Sequence, residues 1–507
     1  MHQIPRFILV GHALMKSSLQ RFFPIFFALL LAGAHVTACA DGDSGHKNQL
    51  VDDTQKTPPK DKAPEDEPPE DTNPGEIPVD GQPDDDINPF EPADPKVCPD
   101  GYRFTQWHAP ALRQGHAPTE FPLEPCAADG VITIMPRGTT WRYTVSGLSE
   151  GDTVSVYTAH YFNEERTGQT RAAQIYKVVP ASGSVTFNYK GIWGGEQILV
   201  VHTKDPEKKG KFKVSSTCTN NCTNYTTRFP IVMVHGFLGT QNYFGLFEYW
   251  NGILPPIRAA GTEIYDPSSS LVASSESRAI KVAEAIDDAL AETGARKVNL
   301  IGHSQGGTDS RIIASPGGLD RGSNISSLTT IATPHHGVPI PLLEFISGAI
   351  NFIFEFPDFS PQKAKAFNQK YTDAPGVEYY SWSFRTCAEI DYPCRINSGG
   401  TLVPSFNPFE NKWGVDVAGG EKVNTLLSIP HGIISIGSFL GGTGADNDGL
   451  VSVVSANWGP KENQFGPVWA DHVDQIGQIM RDPNSEVFNH VTFYQDWIRQ
   501  HLIPDGH

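Results

Sequence analysis

The sequence predicts an α/β protein, a mostly parallel sheet flanked by helices, preceded by a smaller all-β, sandwich-like domain. Three features predict it. Between residues 130 and 217, short runs rich in β-branched and aromatic residues alternate with turn residues and show no helical periodicity. From Phe229 onward the texture changes to strand, helix, strand. At one strand-to-helix junction stands Gly302-His303-Ser304-Gln305-Gly306.

The chain has 507 residues and opens on a targeting segment, residues 1–38. Lys16 and Arg21 precede an apolar run from Phe22 to Val36. That run of about 15 residues is short of the roughly 20 that span a bilayer, so it reads as a cleaved signal, and Met15 alone could start it. Val36-Thr37-Ala38-Cys39 is similar to the lipobox of bacterial lipoproteins, which implies lipidation of Cys39 and a cell-envelope, outer-membrane location. Ordinary cleavage near Ala38 or Ala40, and secretion, is the alternative. Without Cys39, six of the seven cysteines remain, an even number that suits an exported, oxidised chain. Sequence order suggests the pairs Cys98–Cys126, Cys218–Cys222 and Cys387–Cys394 among the possible connectivities.

Residues 39–97 form an acidic, proline-rich linker. Stretch 41–97 holds 17 Asp/Glu against 5 Lys, which accounts for −12 of the formal charge of −18. Such a segment buries too little to order itself and acts as a tether. A nucleic-acid binder would need a basic face, and no Lys/Arg cluster of that kind occurs, which argues against DNA and RNA.

Residues 98–225 make the β module, with strands expected at 130–136, 139–147, 152–161, 172–179, 183–191, 197–205 and 210–217. Trp141, Tyr143, Tyr157, Tyr161 and Trp193 serve either as its core or as a ligand platform, for instance for sugar rings. Residues 226–507 form the second domain. Pro230–Val234 and Val298–Ile301 are continuous apolar runs, as in strands buried on both faces. Between them, 276–292 repeats apolar residues at helical spacing (Ile280, Ala283, Ile286, Leu290) and stops at Gly294, a C-cap. The stretch from Val338 to Phe356 is apolar on most faces and reads as a mobile cover or as a buried helix.

In Gly-x-Ser-x-Gly the serine sits in strained backbone on a tight turn, so its neighbours must lack clashing side chains. A serine hydroxyl needs an imidazole to take its proton and a carboxylate to orient that imidazole, in the chain order Ser, acid, His. Asp446-Asn447-Asp448 follows a strand-like run, Ile433–Gly437, and Asp471-His472-Val473-Asp474 comes later. Both partners stand in the required order, with Asp446 a rival to Asp448.

Five segments in order are His235-Gly236-Phe237-Leu238-Gly239, the pentapeptide with Gly307, Ala332-Thr333-Pro334-His335-His336-Gly337, Asn447-Asp448-Gly449-Leu450-Val451 and Asp471-His472-Val473-Asp474. With them, Pro230 to about Gln478 resembles the secreted triacylglycerol lipases of the Pseudomonas and Burkholderia type, which have the α/β-hydrolase fold. The resemblance implies Ser304 as nucleophile, Asp448 as acid and His472 as general base. It also implies an oxyanion hole from the backbone N–H groups of Phe237 and Gln305, a lid at 338–356, and a lipid or other ester substrate with no cofactor in the chemistry. A dedicated foldase is left open. The family's structural calcium would use Asp474 and the Gln478 carbonyl, but its second aspartate has no clear counterpart, Asp416 being the least poor. The family's disulfide after the acid is absent, since Val453-Val454-Ser455 stand there. Other readings are an esterase, phospholipase, polyester hydrolase or acyltransferase of the same fold, or a surface binding lipoprotein acting through its β module.

Overall fold

The computed structural model describes residues 103–112, 119–123, 127–158, 173–203, 210–237, 239, 242–243, 247–270, 273–338, 359–386, 404–407, 412–415, 427, 431–432, 434–435, 446–478 and 488–507. All lie in the second of two compact units, Pro78–His507. The signal segment with Cys39, the acidic linker, Cys98, Cys126, Cys387, Cys394, Tyr161, Asp416 and the apolar stretch 339–358 fall outside the described residues.

Nine strands form the first part: β1 (Arg103–Leu112), β2 (Thr119–Leu123), β3 (Ala127–Met135), β4 (Thr140–Ser146), β5 (Thr153–Thr158), β6 (Ile175–Val178), β7 (Ser184–Lys190), β8 (Gly195–His202) and β9 (Gly210–Asn220). They make two sheets, β1-β3-β8-β5-β6 and β2-β9-β4-β7. Alternation explains the packing: along β4, Trp141, Tyr143 and Val145 are buried while Arg142 between them is exposed. Tyr143 stacks on Phe187 with ring centroids 5.6 Å apart, and both belong to one core with Phe121, Val154, Leu199 and Phe212. Trp141, Tyr143 and Tyr157 are therefore core residues, not a platform. Cys218 and Cys222 are joined by a disulfide at the end of β9.

The second part follows in order: β10 (Ile231–Val234), β11 (Asn242–Tyr243), β12 (Phe247–Glu248), α1 (Leu254–Ala259), β13 (Ile264–Tyr265), α2 (Ser275–Thr293), β14 (Val298–His303), α3 (Gln305–Ala314), β15 (Ile325–Ile331), α4 (Pro361–Lys370), β16 (Glu378–Arg385), β17 (Pro404–Asn407), β18 (Lys412–Val415), α5 (Val453–Ala456), β19 (Gln464–Trp469) and α6 (His490–Trp497). One sheet runs β13-β10-β14-β15-β16-β19, parallel at every pairing. β10 and β14 are buried at every position because both faces are covered.

Helix α2 begins at Ser274, whose side chain accepts the Ser277 N–H, and ends where Gly294 turns to φ 62°. Its buried face is Ala279, Val282, Ala283, Ile286 and Ala289. Ile280, expected on that face, is 52% exposed. A 3.6-residue turn carries position 280 away from the 279/283/286 stripe, so the small Ala279 takes the inner place. Among the described residues no helix is long and apolar enough to cross a membrane.

The two parts meet where β10 and β13 begin. Arg137 N–H donates to the Gly261 carbonyl (3.0 Å), Gly194 N–H donates to Glu263 (2.9 Å), and Arg228 pairs with Glu196 (2.7 Å). In a parallel sheet these contacts lie at the amino end, opposite the carboxyl end where catalytic loops of such sheets gather.

Candidate active site

Ser304 occupies the turn between β14 and α3. Its backbone is held at φ 54°, ψ −124°, a region that costs a non-glycine residue strain of order 1–3 kcal/mol. The turn is over-determined: Ser304 N–H donates to Ile331 O (2.9 Å), and a Cβ at Gly306 would run into the Val234 carbonyl oxygen. Only glycine lets α3 start this close to β10. Gln305 opens α3, and first-turn N–H groups of a helix lack intrahelical partners, which leaves its amide suited to an oxyanion.

Asp448 lies on a loop that docks beyond β16, with Thr386 N–H donating to Asn447 O (2.9 Å). Its Oδ1 accepts the Leu450 and Val451 N–H groups (3.0 and 2.7 Å), which orients the carboxylate. Oδ2 then faces His472 Nδ1 at 2.8 Å. Of the strand-like run Ile433–Gly437 only Ile434 and Ser435 are described, and both are helical; the end of β16 supports the acid loop. Asp446, the rival, has its side chain 55% exposed and faces Arg385 at 3.5 Å. His472 follows β19, and its N–H donates to Asp448 O (2.9 Å), so backbone and side chain both tie the imidazole to the acid loop.

The loop after β10 carries Phe237. Gly236 O accepts the Gly239 N–H (3.0 Å) and lies 3.0 Å from His235 Nδ1, while Gly236 N–H donates to Tyr249 Oη (2.8 Å). A Cβ at Gly236 would come within 2.9 Å of Ser304 Cβ, so this loop packs directly against the nucleophile turn. His235 Nε2 accepts the Ser269 N–H (3.0 Å). Burial, reinforced by the Arg278 guanidinium, pushes the His235 imidazole down to about 3, so it is neutral and donates through Nδ1. Burial also holds His303 and His335 well below the usual histidine range.

Arg278 was not legible as a site residue, yet it organises the loop. Its guanidinium donates to Ser270 O (2.6 Å), to His235 O and to Asp309 Oδ2 (2.7 Å), and neither partner of this ion pair is exposed. Burial pushes the Asp309 carboxyl up to about 6 against the pull of Arg278. Asp309→Ala leaves a buried, unpaired guanidinium and is expected to destabilise the protein by about 3–5 kcal/mol, read from urea unfolding. A loss below about 1 kcal/mol would mean that Arg278 finds another partner.

Asp474 sits in the turn after His472, where its carboxylate accepts the Asp471 N–H at 3.2 Å. Among the described residues no group of three His, Cys, Asp or Glu side chains surrounds a point suited to a metal. The described residues alone thus do not assemble a calcium set around Asp474.

The parallel sheet and the strand-to-helix elbow define the α/β-hydrolase fold, and the His472–Asp448 pair lies next to the elbow, the His472 ring 4.6 Å from that of His303. Residues 230–370 match the family model of the alpha/beta hydrolase fold. Over 114 residues the chain is 39% identical to a triacylglycerol lipase of Pseudarthrobacter phenanthrenivorans, covering 22% of this chain and 34% of that one. It is 30% identical over 196 residues to one of Vibrio cholerae (31% and 62% covered), and 26% identical over 313 residues to one of Pseudomonas fragi (53% and 94% covered). The chain thus spans about a third of the first of these relatives and under two thirds of the second.

Proposed function

We propose that the chain is a serine carboxylic-ester hydrolase, a triacylglycerol lipase acting through an acyl-enzyme. The observation that carries this is the His472 Nδ1 to Asp448 Oδ2 bond of 2.8 Å, with the His472 ring 4.6 Å from that of His303, the residue before a serine held in the strained elbow conformation. Similarity to triacylglycerol lipases supports the choice of ester, and the pattern at 36–39 supports export and anchorage through Cys39.

The Ser304 hydroxyl attacks the ester carbonyl while His472 Nε2 takes its proton, and Asp448 stabilises the imidazolium. Charge moves to the carbonyl oxygen, met by the Phe237 and Gln305 N–H groups. Collapse breaks the ester bond, with His472 giving its proton to the leaving alcohol. Water then attacks the acyl-Ser304 ester with His472 as base, releasing the acid and restoring the serine.

A fluorophosphonate probe is expected to label the full chain on the peptide that contains Ser304, identified by mass spectrometry. Hydrolysis of p-nitrophenyl palmitate and emulsified triolein alongside p-nitrophenyl butyrate marks a lipase. Activity confined to butyrate would make the protein an esterase, and no labelling would sink the hydrolase reading.

A further inference from the structure

Three buried side chains that the reaction above does not use join its two ends. Tyr249 Oη accepts the Gly236 N–H and lies 2.7 Å from His303 Nδ1. Gln475 Oε1, which can only accept, lies 3.0 Å from His303 Nε2, so neutral His303 carries its proton on Nε2 and its Nδ1 accepts from the Tyr249 hydroxyl. The Gln475 Nε2 group then donates to Asp448 Oδ2 at 2.9 Å, the same oxygen that His472 Nδ1 reaches. Every donor in this chain meets an acceptor, and each of the three side chains is at most 5% exposed.

We infer that Tyr249, His303 and Gln475 form a positioning relay that sets the oxyanion loop at Gly236 and the Asp448 carboxylate as one unit. This rests on the ester-hydrolase reading above. The relay draws on three separate segments: the residue after β12, the last residue of β14, and the turn after His472. No one segment could hold both the Phe237 amide and the acid, since they lie on different loops. A glutamine suits the last position because it must accept from His303 and donate to a carboxylate. Its amide protons also share the charge of Asp448, so they temper how strongly that carboxylate holds the imidazolium of His472. The other titratable groups near that ring are His303, with centroids 4.6 Å apart, and Asp471 and Asp474 in its own turn, while Asp446 is turned to Arg385.

The test is steady-state hydrolysis of p-nitrophenyl butyrate between pH 5 and 9 by the full chain and by Tyr249→Phe, Gln475→Met and the double variant. Each single variant is expected to lose about tenfold in kcat with KM within about twofold, as for other supporting-shell partners. Gln475→Met should also move the acidic limb of kcat/KM upward by about half a pH unit, because the carboxylate loses a competing donor. The double variant should fall well short of the product of the single losses, since cutting the chain once already uncouples its ends. Absence of either the shifted limb or the sub-multiplicative double overturns the relay. If Gln475→Met does not fold, Gln475→Leu removes the same donor and is expected to move the limb in the same direction. A wild type that neither hydrolyses the ester nor takes the fluorophosphonate fails the parent reading instead, a separate result.

Discussion

Ser304→Ala is expected to lower kcat on p-nitrophenyl butyrate by about 10⁶-fold and Asp448→Asn by about 10⁴-fold, with both proteins folded. The first loss is the covalent route itself, leaving only binding and the oxyanion donors. The second follows from the loop around Asp448. Its Oδ1 accepts from the Leu450 and Val451 N–H groups, so an asparagine must keep its oxygen there and turn its amide nitrogen toward His472 Nδ1. Two donors would then face each other unless Nδ1 gives up its proton. The imidazole is driven to the tautomer protonated on Nε2, which cannot take a proton from Ser304. Gln475, which also donates to that oxygen, adds to the clash. Both rates are compared with wild type under saturating substrate. An Asp448→Asn rate within about tenfold of wild type would move the acid elsewhere, with Asp446 the first alternative.

What was legible in the sequence was whatever steric or periodic rules force locally. The two-sided burial of β10 and β14 shows as unbroken apolar runs, and the αL turn at Gly294 shows as a glycine after an amphipathic helix. The elbow shows because a packed strand-to-helix turn admits only glycine at position 306. What was not legible depends on distant segments meeting. Ile280 fits a helical repeat as well as Ala279 does, and only the neighbouring strand decides which is covered. The aromatics of the first sheets could face ligand or core until the second sheet closed over them. Asp446 and Asp448 differ by two positions on one loop, so residue type and order alone left them open and only the resemblance chose Asp448, whose carboxylate the Leu450 and Val451 N–H groups hold. Tyr249 and Gln475 carry no local pattern, because their partners lie 54 and 172 residues away from them at His303.

Stability is expected to collapse below about pH 6, and the direction follows from buried imidazoles. His235, pushed down to about 3, and His303 and His335, held well below the usual range, stay neutral in the fold. In the unfolded chain each titrates near 6.5, so below that pH the unfolded state binds protons that the folded state refuses. Their contribution is fully present above pH 6.5 and is lost as pH falls, at about 1.4 kcal/mol per pH unit for each proton that the folded state refuses. Asp309 runs the other way. With its carboxyl pushed up to about 6, the folded protein holds a proton there that the unfolded chain releases down to about 4, which offsets about one imidazole in that window. The imidazoles outnumber that offset, so a drop from pH 6 to 4.5 is expected to remove about 3–4 kcal/mol, a sizeable share of an ordinary domain's 5–15 kcal/mol. Urea midpoints at pH 8, 7, 6 and 5 check this: they should be level between 8 and 7 and fall steeply after 6. A level curve down to pH 5 would mean that these imidazoles accept protons without unfolding, and the neutral tautomers that hold the oxyanion loop and His303 would be lost with the fold intact. The two cases separate in activity as well. Protonation of His472 alone gives a reversible loss along a single-proton curve, whereas unfolding through the buried histidines gives a steeper loss that tracks the urea midpoints.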